Sequence, residues 1–158
     1  MVAAKAGVDP AMVMRYYGNK EGLFAAAVDV DLALPVPGAA ADLGMLLGRH
    51  FVELWEGDRA DGTLQTLLRS ASSSPDIAAR IRTVFADQVR AWVDAAPSHP
   101  GSGAADRAAR VATYVLGTAL CRYILALPPI ADLDPDALAI EVGTALQVLL
   151  DDGCDPRS

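Results

Sequence analysis

Apolar positions along this chain recur with the period of an α-helix rather than the alternation of a strand. The clearest stripe is Leu43, Leu46, Leu47, Phe51, Leu54 and Trp55, spaced i, i+3, i+4, i+8, i+11 and i+12. Asp42, Arg49, Glu53 and Glu56 take the opposite side, so the spacing predicts an amphipathic helix. A polar turn over 57–62 precedes a short helix with Leu64, Leu67, Leu68 and Ala71 inward, which Ser72-Ser73-Ser74-Pro75 stops. Asp76 opens another, with Ile77, Ile81, Val84, Phe85 and Trp92 on one stripe and Arg80, Asp87 and Asp94 outside it.

Two longer helices close the chain. One is expected over about 105–127, ended by Pro128-Pro129; the other starts at the acid-proline cap Asp134-Pro135 and runs to about residue 150. Their apolar residues wrap around more than one face. A helix that is apolar on two faces needs two burial partners, so one face is expected in the core and the other against a second subunit; the alternative is a central core helix inside a single chain. Val111, Val115, Arg122, Leu138, Val142, Leu146 and Leu149 are the candidate interface residues.

Upstream, Asp9-Pro10 starts a helix that can run to about Tyr17, where Gly18 ends it. Asn19 can cap the next, which carries Leu23, Phe24, Ala27 and Val28 on one face. Leu34-Pro35-Val36-Pro37-Gly38 then forces an extended, stiff connector and marks the clearest internal boundary. The expected organisation is an N-terminal unit over 1–34, a helical unit over 39–151 and a tail over 152–158.

Composition narrows the class. With 158 residues, 53% apolar and 21% charged, the chain can build a core, which excludes general disorder. A net charge of −7 argues against coating nucleic acid through bulk positive charge. Residues 132–158, however, hold seven acids and one arginine, while 1–131 are near balance with 13 acids and 12 bases. The acidity belongs to the C-terminal end and leaves an anion-binding site elsewhere open.

Two cysteines, neither in a CxxC pair, exclude a disulfide scaffold. Cys121 is expected as a small core residue and Cys154 as a free thiol in the tail. The most apolar stretch, 111–127, is shorter than the ~20 residues a membrane crossing needs and contains Thr113, Thr118 and Arg122. No basic region leads into an apolar run at the N-terminus, so a cytoplasmic location without membrane contact is expected.

The most specific stretch is VAAKAGVDPAMVMRYYGNKEGLFAAAV, residues 2–28. A short helical piece ends at Gly7, a three- to four-residue turn follows, and the capped helix from Pro10 comes next. That order is helix-turn-helix geometry, in which the second helix offers its N-terminal residues to the major groove. Ala11, Met12 and Arg15 would face outward, with Val13 and Tyr17 inward. Arg15 can contact guanine with two hydrogen bonds, and Ala11 and Met12 can meet a thymine methyl. Tyr16 and Lys20 are placed for phosphates, Lys20 in the first turn of the following helix. Residues 1–24 carry three bases and two acids, a weak patch that a dimer would double.

AGVDPAMVMRYYGNKEGLF resembles the turn, recognition helix and following helix of the TetR (tetracycline-repressor) family of bacterial transcriptional regulators. Gly7, Val8, Tyr16, Lys20, Glu21, Leu23 and Phe24 match the family pattern directly. Asp9 and Asn19 stand where Ser or Thr is usual and remain good caps; Met14 stands where a phosphate-binding tyrosine is common, and Tyr17 where a core phenylalanine is. The resemblance implies an all-α homodimer, a helix-turn-helix DNA-binding domain followed by a divergent C-terminal domain with a ligand pocket and the dimer interface. The family places a whole helix and the start of the next before AGV. Here the chain begins at Met1-Val2, so the DNA-binding domain is expected to be partial and its binding of operator DNA weak or lost.

Other chemistry is sparse. His50 and Glu53 share a helix face at a spacing that can hold a metal, but no second such pair exists, and no metal or cofactor is expected. His99 lies in a proline-rich loop, Gly101-Ser102-Gly103 reads as a flexible link, and Ser70 and Ser72–74 lack a histidine base. No nucleophile, base and oxyanion donor assemble, so an enzyme is not expected. Met45, Phe51, Trp55, Arg69, Phe85, Trp92 and Tyr114 are candidates to line an effector pocket among the middle helices, and would serve equally well as ordinary core. The leading reading is a ligand-responsive repressor that binds operator DNA as a homodimer and releases it with a small-molecule effector. Its rival is a dimeric helical ligand-binding or interaction module that does not touch DNA.

Overall fold

In the computed structural model, residues 30–38, 42–57, 60, 62–96 and 103–151 are described, and among them all regular structure is helical. The helix-turn-helix motif, including Ala11, Met12, Arg15, Tyr16 and Lys20, lies outside the described residues, as does Cys154.

Helix α1 spans Leu43–Glu56. Asp42 caps it by accepting the Met45 N–H at 2.9 Å. Leu43, Leu47, Phe51 and Trp55, one residue per turn, form its buried stripe. Helix α2 spans Thr63–Ser70 and follows Gly62, whose φ of +77° is open to glycine at no steric cost. Helix α3 spans Pro75–Val84, with Pro75 in its first turn and buried Ser74, not Asp76, as its cap.

The stripe expected to continue through Trp92 does so by a different route. Residues Phe85–Val89 form a π-helical segment before the chain returns to α geometry in α4, Arg90–Ala95. Helix α5, Ala104–Ala119, likewise passes into a π segment, Leu120–Ile124. It stops short of the expected 127, because Leu125 N–H closes an i→i+5 bond to Leu120 O and Ala126 turns to a φ of +50°. A 3₁₀ turn, Ile130–Asp132, leads to α6, Pro135–Asp151. Asp134 caps α6 by accepting from Ala137 N–H at 2.9 Å.

Helices α1 and α6 make the most extensive contact in the fold. They run antiparallel, since Gly44 lies against Gly143 and Gln147 while Gly48 lies against Ala139. Glycines permit this approach: a Cβ on Gly44 or Gly48 would collide with backbone carbonyls of α6. Gln147 Oε1 also accepts the Gly44 N–H at 2.7 Å, across the crossing.

This packing changes the reading of the last two helices. Leu138, Val142 and Leu146 are each 0% exposed and Val111 only 3%, so these candidate interface residues are consumed by the chain's own core. Val115 and Leu149 are half-buried against the same core. Arg122 is tied to its own chain: Nε donates to Glu56 Oε1 at 2.7 Å, Nη1 to Ile130 O at 2.6 Å and Nη2 to Leu133 O at 2.9 Å. The physical reason is the α1–α6 crossing, which takes the broadest apolar face of α6 for itself. The face left open carries Ile140 and Val148, both more than half exposed, with Thr144 between them. Cys121, expected in the core, is half-buried.

Candidate functional site

Ahead of α1, residues 30–38 form a strap with no helical or strand structure, turning locally at Ala33, whose φ is +46°. Val30 and Leu32 are buried and Leu34 half-buried, while Asp31 and Ala33 face solvent. Val30, Leu32 and Leu34, at the end of the expected N-terminal unit, pack with the core of the helices that follow. Alternation of Val30, Leu32 and Leu34 with Asp31 and Ala33 was the available signal.

Beneath the strap is a cavity of about 50 Å³. Its walls come from the strap (Leu32, Leu34), α1 (Leu47, His50, Phe51, Leu54, Trp55), α2 (Leu64) and the π segment with α4 (Phe85, Val89, Trp92). Val111, Ala112 and Val115 of α5 and Leu146 of α6 complete it. A second, smaller void of about 20 Å³ shares Trp55, Leu64 and Phe85 with the first and adds Arg80, Ile81 and Leu116. Among the described residues, no aspartate, glutamate, lysine or arginine lines the first cavity.

Of the residues expected around a pocket, Phe51, Trp55, Phe85 and Trp92 meet here. Met45 does not; its Sδ covers Gly143 on α6. Arg69 is exposed and donates to Tyr123 O at 3.4 Å. Tyr114 sits half-buried on α5, outside the lining, where burial and then the charge of Glu141 push its phenol above the ordinary range. Gln88 was missed, although a polar residue between Phe85 and Trp92 on an apolar stripe signals a buried hydrogen-bonding task.

Three side chains hold the strap. Gln88 donates from Nε2 to Val30 O at 2.7 Å and accepts the Leu32 N–H on Oε1 at 2.8 Å, as a strand edge would. His50 Nε2 lies 2.8 Å from Leu32 O; a carbonyl only accepts, so Nε2 carries the hydrogen of this bond. Trp92 Nε1 donates to Pro35 O at 2.5 Å. The N–H groups of His50 Nε2 and Trp92 Nε1 are thus engaged with backbone, and the other residues that line the cavity are apolar.

The aromatic wall is braced from behind. Tyr123 stacks on Trp55, with centroids 5.0 Å apart and planes 3° from parallel, and meets Phe51 at 6.2 Å. Tyr123 donates its hydroxyl hydrogen to Glu56 Oε1 at 2.8 Å, the oxygen that also accepts from Arg122. Burial, then the hydrogen bond and charge of Glu56, push the Tyr123 phenol far above its ordinary range, outweighing Arg122. Burial works against the charge on Arg122, but Glu56 and Tyr123 together hold its pKa above the ordinary arginine value. This cluster fixes the C-terminal end of α1 and the ring that forms the cavity wall.

Among the described residues, no helix is long and apolar enough to cross a membrane. Comparison with known proteins fits the architecture. The tetracyclin repressor-like, C-terminal domain family matches residues 41–150. A comparison with curated proteins returned no match. Among solved structures, a TetR-family regulator from Streptomyces coelicolor A3 is similar over 96% of this chain and 81% of its own, at 26% identity and a TM-score of 0.50.

Proposed function

The chain belongs to the tetracycline-repressor-like family of transcriptional regulators, and from that premise we propose that it is a cytoplasmic repressor released from operator DNA by a small molecule. The observation that carries the effector half is the cavity. Four aromatic side chains converge on it from α1, the π segment and α4, and the chain segment nearest the N-terminal motif forms one wall. Ligand sites in helical domains are commonly of this apolar kind.

DNA contact is assigned to the N-terminal motif. Arg15 reads guanine, Ala11 and Met12 make apolar base contacts, and Tyr16 and Lys20 hold phosphates. The dimer is assigned to the last two helices, but through their outward stripes. On α6 these are Ile140, Thr144 and Val148, with Gly117 of α5 and Leu120 of the π segment that follows it outward. Apolar side chains such as Ile140 at 57% and Val148 at 56% exposed gain by meeting a second copy.

Selection from a random DNA pool tests the reading. With an N-terminal extension that supplies a further helix, the chain should enrich a palindromic site, and Arg15→Ala in that protein should relax the preference at one base of each half-site; the chain of 158 residues should enrich it weakly or not at all. An extended chain that enriches no sequence yet still binds apolar molecules would instead support a ligand-binding or interaction module without DNA contact.

A further inference from the structure

Two of the three side chains that pin the strap are also walls of the cavity, and the third lies in the π turn between two cavity residues. His50 and Trp92 line the cavity with their rings while their N–H groups hold Leu32 O and Pro35 O. Gln88 sits between Phe85 and Val89, which line the cavity, and holds both Val30 O and Leu32 N. The two strap residues that face inward, Leu32 and Leu34, are themselves lining. Any displacement of the strap therefore breaks bonds made by residues that touch whatever the cavity contains.

The volume makes displacement necessary. The cavity is about 50 Å³, whereas a void that accepts benzene is on the order of 150 Å³. A ring-sized guest has to move a wall. Helices α1 and α6 are locked together by Gly44, Gly48 and Gly143, and the remaining walls except the strap are helical segments with their own hydrogen-bond ladders. The strap has no ladder; among the described residues, its hydrogen bonds to the rest of the chain are those with Gln88, His50 and Trp92. It is the wall that yields.

The lining also sets the class of guest. Among the described residues no aspartate, glutamate, lysine or arginine faces the space, and the N–H groups of His50 and Trp92 are already engaged. A charged guest would find no carboxylate, amine or guanidinium there to offset its desolvation. We propose that the strap over 30–38 is the expandable wall of this cavity, and that a small uncharged aromatic molecule acts by entering it and releasing the strap from Gln88, His50 and Trp92. This rests on the reading of the cavity as the effector site; it adds the chemical class of the effector and the element it moves. A guest shifts this equilibrium only because it fits the strap-released state better than the pinned one.

The test uses toluene as the probe and benzoate as its charged counterpart, with the full chain. Toluene binding is read from NOEs between its protons and Phe85 and Val115, and strap release from hydrogen exchange of the Leu32 amide. The expected result is toluene binding without benzoate binding, and at least a tenfold faster Leu32 exchange at saturation while amides of α1 and α6 stay protected. Gln88→Leu should speed Leu32 exchange without any guest and tighten toluene binding several-fold, because part of the opening is already done. Trp92→Phe keeps the ring, loses one tie and should act in the same direction. Toluene bound with Leu32 exchange unchanged, or Gln88→Leu leaving affinity unchanged or weaker, overturns the strap proposal and leaves the cavity reading standing. No NOE from toluene overturns both, and equal binding of benzoate overturns the assigned class.

Discussion

Gly48 of α1 and Ala139 of α6 approach so closely that a methyl group on Gly48 would overlap the Ala139 carbonyl oxygen. Backbone, not a flexible side chain, is the obstacle, so the helices would have to separate. Gly48→Ala is expected to destabilise the fold by about 2 kcal/mol, overpacking outweighing the helix-propensity gain. Gly117→Ala on α5, where nothing lies within 4 Å of an added methyl, should instead gain roughly 0.5–1 kcal/mol. Urea unfolding of both variants reads the contrast; two changes of the same sign would show that the crossing is not tight.

Arg122 joins the end of α1 to the turn before α6 through Glu56 and the carbonyls of Ile130, Ala131 and Leu133. Its side chain is 9% exposed in this ion pair. Removing Glu56 leaves a nearly buried guanidinium short of its counter-charge. Glu56→Ala should cost about 3 kcal/mol and lower Tm by roughly 6–10 °C for a chain of this length. The pair Glu56→Gln with Arg122→Met should cost clearly less, since no charge is stranded. Calorimetry on the single and double variants decides it.

Alkaline pH should weaken the fold through its phenols. Burial, then Glu56, raises the Tyr123 pKa, and burial, then Glu141, raises that of Tyr114. Below pH 10 both states keep these protons, and stability from them is fully present. As pH rises above about 10, the ordinary tyrosine value, the unfolded chain ionises first and stability falls. Tm should therefore decline between pH 9 and 11.5, more gently in Tyr123→Phe. Absorbance at 295 nm should show these phenols titrating only as the fold is lost.

A second copy meeting the open stripe of α6 should be sensitive to charge there. Val148→Glu is expected to raise the dimer dissociation constant by at least tenfold, with helical content unchanged. Light scattering at micromolar concentration checks it. A wild-type chain that is already monomeric at that concentration would remove this face from the dimer.

Filling the cavity should separate binding from folding. Ala112 of α5 lines the space, and Ala112→Leu puts three carbons into it. Stability should fall by no more than about 1–3 kcal/mol, while toluene binding is lost. Titration with toluene followed by NMR distinguishes this variant from a merely unfolded one.

Helical period, caps and breakers were legible in the sequence because they are local. Leu43 to Trp55 declared α1, and Asp134-Pro135 started α6. Four of seven pocket candidates, Phe51, Trp55, Phe85 and Trp92, were legible as large apolar side chains on inward stripes. Their convergence was not, since two π segments re-aim the stripes and no local pattern announces them.

Which apolar face meets which neighbour was decided only in three dimensions. Leu138, Val142 and Leu146 read as surplus apolar surface because the sequence does not show that Gly44, Gly48 and Gly143 let α1 lie directly upon α6. A glycine's value there is an absence of atoms, which has meaning only opposite another backbone. Likewise Gln88 is one polar residue among many until Val30 and Leu32, more than fifty positions earlier, bring their backbone groups to it. Periodicity determines what each segment is; the distances between segments decide what closes over the cavity.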